Sequence, residues 1–188
     1  MKIIKLKKAL DSEQIRKAIL DGKIFIYPTD TLYGIGCKVE AKESVKKIMK
    51  AKGRKKEKPF SVIVPSKEWI SENTKITKEN EKFVGVLFPG PYTIILNAKE
   101  RIPYVVSKEG SMGIRIPKHE FCDLIRSLNL LFLTTSVNLS EEEPVFSLKD
   151  IPKEIRSISD YAIDDGRIEG PASRVFDIRT NELKIARW

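Results

Sequence analysis

Several things are scarce in this 188-residue chain, and each scarcity closes off a class of chemistry. There is one histidine, His119, so a metal site built from several imidazoles is excluded, and Ser–His or Cys–His catalysis would depend on that residue. There are two cysteines, Cys37 and Cys122, far apart and in no CxxC pair, which argues against a disulfide framework or a zinc site. No apolar run approaches the ~20 residues of a membrane-spanning helix. The first residues, "MKIIKLKKALDSEQ", lack the apolar core and small-residue cleavage site of a secretory signal, so the expected location is cytoplasmic. There is no GxxxxGK[ST] phosphate loop, no GxGxxG after a strand and no GxSxG elbow. No internal repeat or low-complexity linker is present, and no carboxylate pair has a spacing that points to glycosidase or aspartic-protease chemistry.

What is present is a composition of 41% hydrophobic and 32% charged residues, which fits one domain of ordinary size spanning residues 1–188. The net charge of +9 favours anionic partners such as nucleotides, phosphates or RNA. Lysine and glutamate enrichment is also a surface adaptation to heat, so the charge alone does not choose a partner.

The hydropathy pattern alternates strands and helices. Strands are expected over 2–6, 23–27, 60–64, 92–96, 112–116, 130–134, 161–164, 174–178 and 183–187. Helices are expected over 11–21, with Asp11 as N-cap and Gly22 as stop, and over 43–52, 78–87 and 118–129. The fold class that follows is α/β, a mixed sheet packed by helices.

Polar clusters sit at strand ends, where α/β proteins commonly carry their sites. "YPTDTLYGIGCK" (27–38) reads as a strand running into a loop, with Gly34 and Gly36 allowing a sharp turn or a close approach. "KAKGRKKEKPFSVIV" (50–64) puts Lys52, Arg54, Lys55, Lys56 and Lys58 in a loop that must return to a buried strand; the run is a solvated face or a phosphate grip. In "GSMGIRIP" (110–117), Arg115 alternates with Ile114 and Ile116. It therefore faces the other side of the sheet, where it needs either a salt-bridge partner or a carboxylate ligand. "LLFLTTSVNLS" (130–140) ends a buried strand in short hydrogen-bonding residues that could cap a helix or read a polar ligand. "GPASRVFDI" (170–178) and "KIAR" (184–187) add Ser173 and Arg187. The convergent set of Lys, Arg, Ser, Thr and Asn binds and orients anions, which suits reactions driven by positioning and electrostatics.

Taken in order, "YPTDTLYGIG", Lys52-x-Arg54 with "KPFSVIV", "FPGPYTIIL", "GIRIP", Ser136-x-Asn138 and "ASRVFDI" resemble the YrdC-type L-threonylcarbamoyladenylate synthase family over nearly the whole chain. The resemblance implies an open twisted sheet with a concave basic cleft. It implies formation of threonylcarbamoyl-AMP and pyrophosphate from L-threonine, bicarbonate or CO2, and ATP with Mg²⁺. A partner complex then transfers the group to adenosine 37 of tRNA. It assigns Lys52 and Arg54 to catalysis; Lys52, Arg54, Lys58, Ser111, Asn138, Ser147 and Arg187 to ATP; and Thr31, Arg115, Ser136 and Ser173 to L-threonine, with no protein-held metal. The sequence departs from the family pattern at Glu141, at Ile63, at Arg174 and in the terminal "IARW". Asp30 and Cys37 receive no role and are read as structural. Two other readings stand beside this one: a non-catalytic double-stranded RNA or tRNA-binding module of the same fold, and a carbamoyl-adenylate enzyme of hydrogenase maturation, which normally resides in a much longer chain.

Overall fold

A computed structural model describes residues 1–53, 59–139, 142–180 and 183–187, with the side chain of Arg187 outside the description. Among the described residues, ten strands form one mixed sheet: β1 (Lys2–Lys5), β2 (Phe25–Tyr27), β3 (Gly34–Lys38), β4 (Ser61–Ile63), β5 (Tyr92–Asn97), β6 (Ser111–Arg115), β7 (Phe132–Ser136), β8 (Tyr161–Asp164), β9 (Arg174–Asp177) and β10 (Lys184–Arg187). Their order across the sheet is β1-β8-β2-β3-β7-β4-β6-β5-β9-β10. The helices are α1 (Leu6–Leu10), α2 (Glu13–Leu20), α3 (Lys42–Ala51), α4 (Lys67–Asn73), α5 (Lys78–Leu87), α6 (Glu120–Ser127) and α7 (Lys153–Ile158). The expected α/β class and the open twisted sheet are what the chain adopts.

The strands bury both faces because their side chains alternate. On one face Ile26, Ile35, Val62, Ile94, Ile114 and Leu133 pack with Val45 and Ile48 of α3, Ile70 of α4 and Ile155 of α7. On the other, Phe25, Tyr27, Ile63 and Phe132 pack with Ala9 of α1, Ile15 and Ile19 of α2, and Phe121 and Ile125 of α6. Ile63, one of the departures from the family pattern, is thus a fully buried part of this second core.

Several local expectations are corrected. The helix expected over 11–21 begins later: Ser12, not Asp11, is the N-cap, its Oγ accepting from Ile15 N at 3.3 Å, and Asp11 ends the separate helix α1. The stretch 34–38, read as a turn, is strand β3, hydrogen-bonded to β2 on one side and β7 on the other. Gly36 is required there for lack of a side chain rather than for a turn. A Cβ would lie 2.0 Å from the carbonyl oxygen of Leu133 and 2.6 Å from the Phe132 ring. Among the described residues no helix follows Ser136 directly, so the hydroxyl cluster of 134–138 runs into a bend over 137–138 rather than a helix start.

Candidate functional site

Among the described residues, helices cover only part of the second face of the sheet. Helices α1, α2 and α6 lie over the Phe25–Tyr27–Ile63–Phe132 portion, and the rest of the face is a cavity of about 420 Å³. Its floor is written by strand alternation. Phe132 and Ile63 belong to the covered part; two residues away on the same strands, Thr134 and Ser61 reach the cavity. Ser111, Gly113 and Arg115 of β6, Thr93 and Ile95 of β5, and Ser173 and Val175 beside and on β9 continue the floor. Gly113 pairs with Ser61 across the β4–β6 ladder, and a Cβ on it would meet Ser61 Oγ at 2.9 Å. The floor is therefore shallow, hydroxyl-rich and of a size that suits a small-molecule ligand.

Of the residues singled out from sequence, Thr31, Ser111, Arg115, Ser136, Asn138 and Ser173 all line this one cavity. Arg115 is its one charged lining side chain among the described residues. As expected from the alternation, Arg115 points away from Ile114 and Ile116, which are buried in the opposite core. Its Nη2 donates to Thr31 Oγ1 at 3.2 Å and reaches Asp30 Oδ1 at 3.4 Å. Its Nε is buried and has no partner among the described residues. The salt-bridge reading of Arg115 is thus realised, in Asp30. A carboxylate holds part of the guanidinium, and an N–H donor is left over in a site that can accept an anion.

Asp30, read from the sequence as structural, is the partner that holds Arg115, a pairing the sequence did not identify. Its side chain is 11% exposed. One oxygen faces Arg115 and the other accepts from Lys118 N at 2.9 Å, so it fixes both the guanidinium and the turn that leads into α6. The signal for it, an acidic residue between two threonines at a strand end, has no preferred partner in sequence. The partner lies 85 residues away.

Lys52, the C-cap residue of α3, is buried at 4% exposure and donates Nζ to the carbonyls of Ser136, at 2.8 Å, and Asn138. Its ammonium therefore holds the turn that carries Ser136 and Asn138, and Lys52 is not among the residues lining the cavity. Asn138 Nδ2 donates to Glu142 O at 2.7 Å, while its Oδ1 is buried without a partner among the described residues. Ser173 Oγ shares a hydrogen bond with Thr93 Oγ1 at 3.0 Å, and Ser111 Oγ with Ser107 Oγ at 3.0 Å. Ser147 stands apart from the cavity lining: its hydroxyl accepts from Lys149 N at the start of the 3-10 turn Leu148–Asp150. Arg54, Lys58 and Glu141 fall outside the described residues, as does the Arg187 side chain; the Arg187 backbone pairs with Val175 of β9.

His119 does not line the cavity. Its Nδ1 accepts from Phe121 N at 3.2 Å to cap α6, and Nε2 lies 3.2 Å from Asp165. Both thiols are buried, which pushes Cys37 up to about 12 and Cys122 well above its ordinary value, so neither is a ready nucleophile. Burial also raises Tyr33, whose hydroxyl donates to Gly166 O at 2.8 Å and accepts from Asp165 N, tying the 28–33 loop to β8.

With this geometry in hand, comparison with known proteins is informative. The profile of the Sua5/YciO/YrdC family, described as telomere recombination, matches residues 17–188. A protein of Methanocaldococcus jannaschii, provisionally named threonylcarbamoyl-AMP synthase, is 38% identical over 173 residues, covering 88% of this chain and 82% of its own. A Haemophilus influenzae protein named threonylcarbamoyl-AMP synthase is 29% identical over 182 residues, covering 93% of this chain and 98% of its own. Among solved structures, Pyrococcus abyssi Sua5 in complex with L-threonine superposes with a TM-score of 0.83 at 26% identity, over 95% of this chain. The match covers 54% of that Sua5 chain, so the present sequence spans about half its length. E. coli YciO has a TM-score of 0.85 at 20% identity over 99% of this chain and 93% of its own, and shares the fold. The chain belongs to the Sua5/YciO/YrdC family.

Proposed function

We propose that this protein is an L-threonylcarbamoyladenylate synthase, which joins L-threonine, bicarbonate or CO2, and ATP into threonylcarbamoyl-AMP and pyrophosphate for the N6-threonylcarbamoyladenosine modification of tRNA. The observation that carries the reading is Arg115: a largely buried guanidinium with an unpartnered N–H, held by Asp30 and Thr31 at the edge of a hydroxyl-floored cavity. A guanidinium in that setting can donate a charge-assisted hydrogen bond to a small carboxylate. The relatives' names, and the complex of P. abyssi Sua5 with L-threonine, support L-threonine as the source of that carboxylate.

In this reading Arg115 takes the threonine carboxylate, with Thr31, Ser136 and Ser173 around it. Ser111 and Asn138 face the nucleotide, together with Arg54, Lys58 and Arg187. ATP enters as its Mg²⁺ complex. Threonine's amine adds to CO2 to give a carbamate, whose oxygen attacks the α-phosphorus while the bond to pyrophosphate breaks. The cationic side chains stabilise the charge that develops on the phosphates. Lys52 contributes by fixing the Ser136–Asn138 turn through two carbonyls. Ser147, which caps the turn at Leu148, is left out of the nucleotide set in this reading. Delivery to tRNA requires a separate threonylcarbamoyl-transfer complex.

The test is pyrophosphate release from ATP and Mg²⁺ with L-threonine and bicarbonate present or omitted. Release must depend on both. Arg115→Ala should raise the threonine requirement and Arg54→Ala the ATP requirement. If release is independent of threonine, and RNA binding falls in the same variants, the protein is an RNA-binding module instead.

A further inference from the structure

The hydroxyl of Thr31 lines the cavity, yet its hydrogen is not free to choose a partner. The constraint comes from Thr29. Thr29 Oγ1 lies 2.7 Å from the carbonyl oxygen of Leu32. A carbonyl only accepts, so the single hydroxyl hydrogen of Thr29 is committed to it. The same Thr29 oxygen accepts from Thr31 N at 3.1 Å and shares Leu32 N at 3.2 Å. It is also 2.9 Å from Thr31 Oγ1. With the Thr29 hydrogen already placed, this last contact, the shortest of the three, is a hydrogen bond only if Thr31 donates, in competition with the two longer backbone N–H contacts for the two lone pairs of Thr29. On its other side Thr31 Oγ1 receives a bond from Arg115 Nη2 at 3.2 Å, where an N–H can only donate. The chain of donors therefore runs one way: Arg115 N–H to Thr31, Thr31 O–H to Thr29, Thr29 O–H to the Leu32 carbonyl. Both threonines are largely buried, at 3% and 2% exposure.

We propose that Thr29 is a positioning residue that makes the Thr31 hydroxyl an obligate acceptor toward the α-amino group of the amino-acid substrate. This rests on the L-threonine reading given above. A hydroxyl oxygen has two lone pairs, and Arg115 occupies one. The remaining lone pair can receive a ligand N–H or O–H but cannot serve a carboxylate. In an α-amino acid the carboxylate and the amino group share one carbon, so a carboxylate on Arg115 brings the amino group, rather than the more distant β-hydroxyl, to the neighbouring Thr31 oxygen. The pair Arg115–Thr31 thus reads the two polar groups of the amino-acid head with complementary donor and acceptor. Thr29, which touches neither, sets the sign of the second contact.

The proposal is tested by calorimetric binding of L-threonine and of 3-hydroxybutyrate, which lacks the α-amino group, to the whole protein. The wild type should favour L-threonine by at least about tenfold, the value of one hydrogen bond involving a charged group. In Thr29→Val, Thr31 can turn its hydrogen outward, and the preference should fall to within about threefold. Thr29→Ser, which keeps the hydroxyl, should restore it. In steady-state assays Thr29→Val should raise the KM for L-threonine about tenfold and leave that for ATP unchanged. Thr31→Val removes the acceptor without touching the backbone bonds of the turn, and should lose the preference in the same way even where Thr29→Val does not fold. A wild type that binds both probes equally overturns the assignment. So does a Thr29→Val protein that keeps the full preference, or one whose lost selectivity is against L-2-aminobutyrate, which would place the β-hydroxyl on Thr31. If the wild type does not bind L-threonine at all, the functional reading itself fails. If threonine-dependent pyrophosphate release persists while the probe preference ignores Thr29, only the role of Thr29 fails.

Discussion

The carboxylate of Asp30 offers the sharpest check on how this site is built, because one side chain performs two separable tasks. Its Oδ2 accepts from the backbone N–H of Lys118 at 2.9 Å, and its Oδ1 sits 3.4 Å from Arg115 Nη2. The two side chains are only 11% and 12% exposed, so neither charge is well solvated. The charge-assisted bond to Lys118 N contributes about 2 kcal/mol. Removing one partner of a fully buried ion pair costs about 3–5 kcal/mol. Here the pair is long and Arg115 keeps Thr31, so roughly 1 kcal/mol is the appropriate share, near the upper end of exposed pairs. Asp30→Ala should therefore lose about 3 kcal/mol. Asp30→Asn keeps an acceptor for Lys118 N while discarding the charge, and should lose about 1–2 kcal/mol. For a chain of this size those losses lower Tm by roughly 6–12 °C and 2–8 °C. Urea unfolding of both variants, and of Arg115→Met alone and combined with Asp30→Ala, measures the coupling directly. Two results would refute the reasoning: Asp30→Ala within 0.5 kcal/mol of wild type, taking ~0.5 kcal/mol as the scatter of ordinary surface substitutions, or Ala and Asn variants of equal stability.

Two other outcomes follow from burial. Gly36→Ala forces a methyl to within 2.0 Å of the Leu133 carbonyl, and should cost about 3 kcal/mol or more, whereas Gly85→Ala, with nothing within 4 Å, should stabilise α5 by about 0.5–1 kcal/mol; chemical denaturation of the two variants, shifting in opposite directions, checks this. Burial raises both thiols, Cys37 to about 12, so at pH 8 the protonated forms dominate and iodoacetamide should leave the native protein unmodified while adding two adducts in urea; mass spectrometry reads the count, and rapid native labelling would contradict the packing.

Much of the architecture is legible in the sequence because it follows from local periodicity. The alternation through "FSVIV", "YTIIL", "MGIRI" and "LLFLT" identifies four central strands, and within them it places Arg115 opposite Ile114 and Ile116. Glycine at 34 and 36 misleads, since a Gly-rich stretch reads as a turn. The reason for Gly36 is the carbonyl of Leu133, almost a hundred positions onward, which no local signal announces. The short helices α1, α4 and α7 are similarly silent, because five to seven residues carry too little periodicity and are stabilised by what they pack against.

The order of motifs in the sequence determined the family, the fold and the group of short polar residues that meet at the site. Tertiary structure decided the rest. It covered part of one sheet face with α1, α2 and α6 and left the Ser61–Gly113–Thr134 portion as a cavity floor. It turned Lys52 onto two carbonyls, separated Ser147 from the cavity lining, and gave Asp30 to Arg115. Hydrogen-bond direction and charge pairing depend on which atoms lie within about 3 Å of one another. In this protein those atoms belong to residues 80 to more than 100 positions apart, brought together only when the sheet is assembled.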